Sequence, residues 1–226
     1  MRVIFNEEMQ AVADDLDHMA RNVRDAIHGA GQALTRQDLD AAQTVIDGDA
    51  ETDALANSVI DQCVVLLSRQ NPVATDLRVV VASLRLAATF ERMGDLARHI
   101  AETARRTYPE SPLPPEAIDM FQQMQDFLDV TADRLVTMLA DRDTNVAEQI
   151  IADDDKLDEL HRRTFALAQS PEWSGTNQQL IDVVLLGRFM ERLGDHAVSA
   201  SRRVVYIVSG FDPSKEPARD EGTDID

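Results

Sequence analysis

Phe90-Glu91-Arg92-Met93-Gly94-Asp95 returns 100 positions later as Met190-Glu191-Arg192-Leu193-Gly194-Asp195. Each copy sets two acids at i and i+4, with an Arg, an apolar residue and a Gly in the same order. Packing alone has no need for the same two acids twice, so the repeat marks an internal duplication. Residues further back support this. Ala42, Ile46, Asp49 and Asp53 match Ala147, Ile151, Asp154 and Asp158 at an offset of 105, as Leu34 matches Leu139. The five-residue change of offset fits an indel in the loop around Pro72, where length changes are tolerated.

The pattern between these motifs is helical. Phe5, Met9, Val12, Leu16, Met19, Val23 and Ile27 alternate four- and three-residue steps, the spacing of one buried helix stripe. Gly29 and Gly31 are expected to weaken the end of this first helix. A second helix starts near Asp38, a favourable N-cap, and runs to about Ser68. Asn71-Pro72 interrupts the chain, and a third helix spans about Ala74 to Arg106, roughly 45 Å if fully formed. Tyr108-Pro109-Glu110-Ser111-Pro112-Leu113-Pro114-Pro115 cannot be helical throughout. Helices over about 116–140, 144–168 and 177–208 then repeat the order.

The expected fold is all-α, with two tandem pseudo-symmetric three-helix bundles. The first repeat covers 1–107, a linker 108–115, the second repeat 116–209 and a disordered acidic tail 210–226. The two units are expected to pack as a pair, or all six helices to form one extended bundle.

Composition narrows the function. The chain has 226 residues, 44% hydrophobic but only 4% aromatic, and a formal charge of −19 from 41 acids and 22 bases. That charge repels the phosphates of nucleic acid and anionic membrane surfaces, leaving cations and basic protein surfaces as partners. Cys63 is the only cysteine and lies in an apolar run, so it reads as a core residue in a reducing compartment. The N-terminus lacks a signal-peptide core, and no stretch approaches the roughly 20 apolar residues that span a bilayer. A cytoplasmic protein without membrane insertion is expected.

Residues four apart share a helix face, so Glu91 projects beside Asp95 and Glu191 beside Asp195. The second helix of each half carries its own pair, Asp49/Asp53 and Asp154/Asp158. If second and third helices run side by side, four carboxylates meet in each half, a donor set suited to hard divalent cations or iron. At this acid content, chance alone yields roughly seven i,i+4 acid pairs, so the recurrence rather than the pair is the signal. The same acids can instead form ion pairs with Arg92 and Arg192. Neither Glu91 nor Glu191 has a His three residues on, as a di-iron bundle requires. His99 and His161 stand near enough to join a site, although neither is duplicated. A nucleophile elbow and a phosphate-binding Gly loop are both missing from the sequence. Gly94 and Gly194 fall inside helices and imply close approach of a helix or an ion.

With these motifs in hand, the chain resembles the PhoU family, regulators of bacterial phosphate uptake. Pro72-Val73-Ala74-Thr75-Asp76-Leu77-Arg78 is similar to that family's Pro-x-Ala-x-Asp-Leu-Arg start of the third helix, and the Glu-Arg-x-Gly-Asp copies resemble its acidic metal motifs. The resemblance covers about residues 2 to 209. It implies two three-helix bundles, often a homodimer, and metal ions (Mg, Mn, Fe or Zn) on Asp49, Asp53, Glu91, Asp95, Asp154, Asp158, Glu191 and Asp195. It further implies a non-enzymatic negative regulator of phosphate uptake, an adaptor contacting the phosphate ABC transporter's ATPase subunit and a phosphate-responsive sensor histidine kinase. Asn177-Gln178-Gln179 stands where the first half has Leu77-Arg78-Val79, so the Asp-Leu-Arg signature is not duplicated. A metal-dependent enzyme or metal-storage bundle, and a purely structural scaffold, are the alternatives.

Overall fold

A computed structural model describes residues 2–70 and 72–210. The expected acidic tail lies, apart from Gly210, outside the described residues, as does Asn71. Seven helices follow in order: α1 (Arg2–Arg36), α2 (Leu39–Gln70), α3 (Thr75–Thr107), α4 (Pro115–Asp141), α5 (Thr144–Asp153), α6 (Asp155–Ala168) and α7 (Asn177–Ser209). Among the described residues none is long and apolar enough to cross a membrane.

The stripe on α1 forms as its spacing predicts. Val12, Leu16, Met19, Val23 and Ile27 are buried, and Met9 packs partly buried against the core. Gly29 and Gly31 do not end the helix, which runs on to Arg36. They are contact points instead. A Cβ on Gly29 would lie 2.6 Å from Val45 of α2, and one on Gly31 would strike Gln125 of α4. Buried Gln125 donates from Nε2 to the Ile27 carbonyl at 3.1 Å, tying α4 to α1.

Local signals set the helix ends. Asp38 Oδ1 accepts from Ala41 N at 3.0 Å, as its N-cap reading requires. Asp143 accepts from Asn145 N and Val146 N to start α5, and Thr176 with Gln179 forms a capping box on α7. Gly210, at φ 78°, closes α7 in the left-handed conformation.

The fifth predicted helix, over 144–168, is interrupted at Asp154, between α5 and α6. Asp154 keeps helical angles (φ −60°, ψ −34°), but its carbonyl accepts from both Leu157 N (2.9 Å) and Asp158 N (3.2 Å). The turn is locally tightened toward 3₁₀ geometry. Three consecutive acids sit here. Asp153 is held outward by Arg134 (2.8 Å) and Lys156 (2.7 Å), while Asp154 is half-buried.

The halves meet along α3 and α7, which run antiparallel. His99 faces Phe189 with ring centroids 5.3 Å apart, Arg106 reaches Asp182 at 2.6 Å, and Arg78 Nη2 donates to the Ile207 carbonyl at 3.3 Å. This register sets Gly94 level with Gly194, midway along the pair. The buried residues of both halves form one continuous core. Arg78, from the unduplicated signature, places its guanidinium 5.8 Å from the Tyr206 ring centroid and at the carbonyl end of α7, where a cation is favoured. Its counterpart Gln178 donates to Asp182 on its own helix instead.

Asp182 is 1% exposed and depends on Arg106 and Gln178 for its partners. Removing the cation strands a buried carboxylate. Arg106→Leu should therefore cost about 3 kcal/mol in urea unfolding. The double substitution Arg106→Leu/Asp182→Leu should recover most of that loss, and failure to recover would rule out a stranded charge as the cause.

Candidate metal centre

The two acid motifs lie against the second helix of their own half, as the duplication predicts. Glycine sets the approach. An added Cβ on Gly94 would be 3.3 Å from Asp49 Oδ1 and 3.5 Å from Thr52 of α2. On Gly194 it would be 2.8 Å from Asp154 Oδ1 and 2.6 Å from Leu157 Cδ2 of α6. In each half the helix missing one side chain receives the carboxylate of its neighbour. The expectation that these glycines permit close approach of a helix is met.

In the first half Asp49 and Asp95 converge on a residue the sequence reading passed over. Arg98 Nε lies 2.7 Å from Asp49 Oδ2, its N–H not aligned for a hydrogen bond, while Nη2 donates to Asp95 Oδ1 at 2.9 Å. Nη1 donates to Glu102 at 2.8 Å. Arg92 also meets Asp95 at 3.2 Å and Glu91 at 3.5 Å, from the same helix. Burial raises the pKa of Asp49 against the pull of Arg98, and burial raises Glu91 against Arg92. Asp53 is exposed at the rim and acts on both through its charge.

The second half is differently compensated. Among the described residues no basic nitrogen lies within 4 Å of the side-chain carboxylates of Asp154, Asp158 or Asp195; Arg162 Nε reaches only the Asp158 backbone carbonyl, at 3.4 Å. Glu191 has Arg188, whose Nη1 alone donates to both carboxylate oxygens, and His161 Nδ1 at 3.9 Å. Burial, then the charges of Asp158, Asp195, Asp155 and Glu191, push the Asp154 carboxyl up to about 6. Burial also lowers the pKa of His161, favouring neutral imidazole, and its Nε2 is buried without a partner. Of the two histidines singled out by position, His161 lies against the acids and His99 packs on Phe189. Among the described residues, no three His, Cys, Asp or Glu side chains stand arranged to hold a metal ion as they are. The second half brings oxygen donors and the unpartnered His161 Nε2 to one place, the donor chemistry a hard or borderline cation takes. The first half's Asp49 and Asp95 are already engaged by a guanidinium.

Arg98 was recognisable in the sequence as a break in the duplication, because Val198 stands 100 positions on. Glu102 and Arg188 break it in the same way, standing against Arg202 and Ala88.

The profile of the PhoU domain matches this chain twice, over residues 16–104 and 121–204. The chain belongs to the PhoU domain family. It is 35% identical over 216 residues to the phosphate-specific transport system accessory protein PhoU homolog 1 of Mycobacterium leprae, covering 96% of this chain and 97% of that one. It is also 35% identical over 213 residues to PhoU homolog 2 of Mycobacterium tuberculosis, covering 94% of this chain and all of the relative. The crystal structure of PhoU from Pseudomonas aeruginosa superposes with a TM-score of 0.83 at 24% identity, covering 92% of this chain and all of that one. PhoU from Streptococcus pneumoniae gives 0.80 at 19% identity, over 92% of this chain and 98% of its own. At those identities the structures speak to the fold, and they agree with the all-α, twice-repeated architecture.

Two outcomes follow from the geometry of the PhoU repeats. Gly194→Ala forces a Cβ against buried Leu157 and Asp154 Oδ1, and an overpacking cost of about 1–3 kcal/mol meets or outweighs a helix-propensity gain of about 1 kcal/mol. Gly94→Ala has more room, so denaturant unfolding should find it near neutral and clearly less harmful than Gly194→Ala.

Asp154 titrates higher folded than unfolded, so its ionisation opposes folding. Its neutral form favours the fold, and this advantage is lost as pH rises from about 4 through about 6. In metal-free buffer, Asp154→Asn should raise Tm at pH 7.5, and that gain should vanish near pH 4. An equal gain at both pH values would exclude ionisation as the cause.

Proposed function

We propose that this protein is an accessory regulator of phosphate transport, acting as a cytoplasmic adaptor without catalytic activity of its own. The observation that carries this reading is near-full-length similarity, at 35% identity, to proteins named as phosphate-specific transport system accessory proteins. The adaptor joins the phosphate ABC transporter's ATPase subunit to the phosphate-responsive sensor histidine kinase and restrains both when phosphate is plentiful. A net charge of −19 suits basic surfaces on such partners. Exposed Ile60 and Val64 on α2, with Ile181 and Leu185 on α7, offer apolar faces to a partner or to a second copy in a homodimer.

Divalent or transition metal ions enter this reading at the acid motifs. Asp154, Asp158, Glu191 and Asp195 would hold an ion with His161 alongside, and the ion would relieve the repulsion among these carboxylates. By binding one arrangement of α6 against α7 more tightly than another, it would shift the population toward that arrangement.

The test is the affinity of the purified protein for the transporter's ATPase subunit, with and without Mn²⁺, beside a folded Glu91→Ala/Glu191→Ala variant. Binding that strengthens with metal and weakens at least about tenfold in the variant supports a metal-linked adaptor. Tight binding indifferent to metal and variant removes the metal from the mechanism. No binding by folded wild type in either condition sinks the contact with the ATPase subunit. The mass in solution, read by light scattering at several concentrations, decides the homodimer, and a monomer throughout would reject it.

A further inference from the structure

The duplicated segments differ in charge at the position three residues beyond their second acid. In the first half this is Arg98, on α3; in the second it is Val198, which is 7% exposed. The Arg98 guanidinium contacts Asp49 of α2 at 2.7 Å and Asp95 and Glu102 of its own helix at 2.9 and 2.8 Å. It occupies the place between helices where a cation bridging Asp49 to Asp95 would have to sit. We propose that Arg98 is the resident cation of the first half, so that the two motifs are not equivalent: a divalent ion is admitted beside Asp154, Asp158, Glu191 and Asp195 and excluded beside Asp49, Asp53, Glu91 and Asp95.

Charge and space both keep the ion out of the first half. A hard divalent ion takes carboxylate oxygens at about 2.0–2.6 Å. To reach Asp49 and Asp95 it would need the same oxygens the guanidinium now engages, and would face that positive charge a few ångströms away. Arginine is not deprotonated in proteins, so the obstacle cannot be removed by a proton equilibrium. The planar fork spans two helices and meets three carboxylates, so its positive charge lies among all of them. In the second half Val198 leaves the Asp154, Asp158 and Asp195 carboxylates without such a cation; half-exposed Arg188 meets only Glu191 of its own helix and bridges no two helices. Its admission of a metal rests on the reading under Proposed function; the exclusion from the first half rests on Arg98 alone.

The experiment is Mn²⁺ binding to the full chain by calorimetry and by electron paramagnetic resonance, for wild type, Arg98→Val, Arg98→Gln and Arg98→Lys. Each would also carry either Asp49→Asn or the pair Asp154→Asn/Glu191→Gln, with folding checked by circular dichroism. Wild type should bind Mn²⁺ in a manner abolished by Asp154→Asn/Glu191→Gln and changed less than about twofold by Asp49→Asn. Arg98→Val and Arg98→Gln should each add Mn²⁺ binding at least about tenfold tighter than anything the wild-type first half shows, and Asp49→Asn should remove it. Arg98→Lys, which keeps the charge, should add none. Mn²⁺ should also raise the Tm of Arg98→Gln in the background lacking the second-half acids, a readout independent of stoichiometry. If wild-type binding is lost on Asp49→Asn, or if neither neutral variant gains a site, the proposal is overturned. A neutral variant that gains a site while wild type binds nothing would uphold the role of Arg98 and remove the second-half metal reading. Silence from every protein would end both.

Discussion

The antiparallel contact of α3 with α7 is the constraint on which the rest of the structure depends. It brings the two copies of the acid motif to one level, with Gly94 and Gly194 in the same register. From there each helix turns its small residue toward a different neighbour, α2 for Gly94 and α6 for Gly194. Without a Cβ at these points the neighbouring helices stand closer, and their aspartates reach the acids of α3 and α7. The cross-half links at His99–Phe189, Arg106–Asp182 and Arg78–Ile207 hold that register along most of the pair.

Close approach brings like charges together, and the two halves answer that problem in different ways. The first places a guanidinium among its carboxylates. The second leaves Asp154 partly buried among other acids and pays in a raised pKa. Duplication therefore preserved the backbone arrangement more strictly than the electrostatics. The tightened turn at Asp154, which splits α5 from α6, belongs to this difference, since the corresponding stretch of α2 through Asp49 is one unbroken helix.

The sequence was informative where physics is local. The four-and-three spacing on α1, the Asp38 cap and the proline-rich segment before Pro115 each depend on residues a few positions apart, and each appears in the structure where the spacing puts it. Gly29 and Gly31, which local propensity would have weaken α1, do not end it. Their value lies in Val45 and Gln125 on other helices, partners that no local rule can supply. Periodicity predicts one continuous fifth helix because it does not register a single tightened turn.

By itself the sequence determined that the chain is helical, that it is built twice, and which acids recur. These follow from periodicity and repetition, properties of the chain read in order. Only the tertiary structure decided what each acid meets. Asp49 and Arg98 lie on different helices, and their contact exists because α2 packs against α3 at Gly94. Arg78 reaches the end of α7 across more than half the length of the chain for the same kind of reason. A charge's effect depends on distances in space, and helix packing sets those distances for residues that spacing along the chain leaves unconnected.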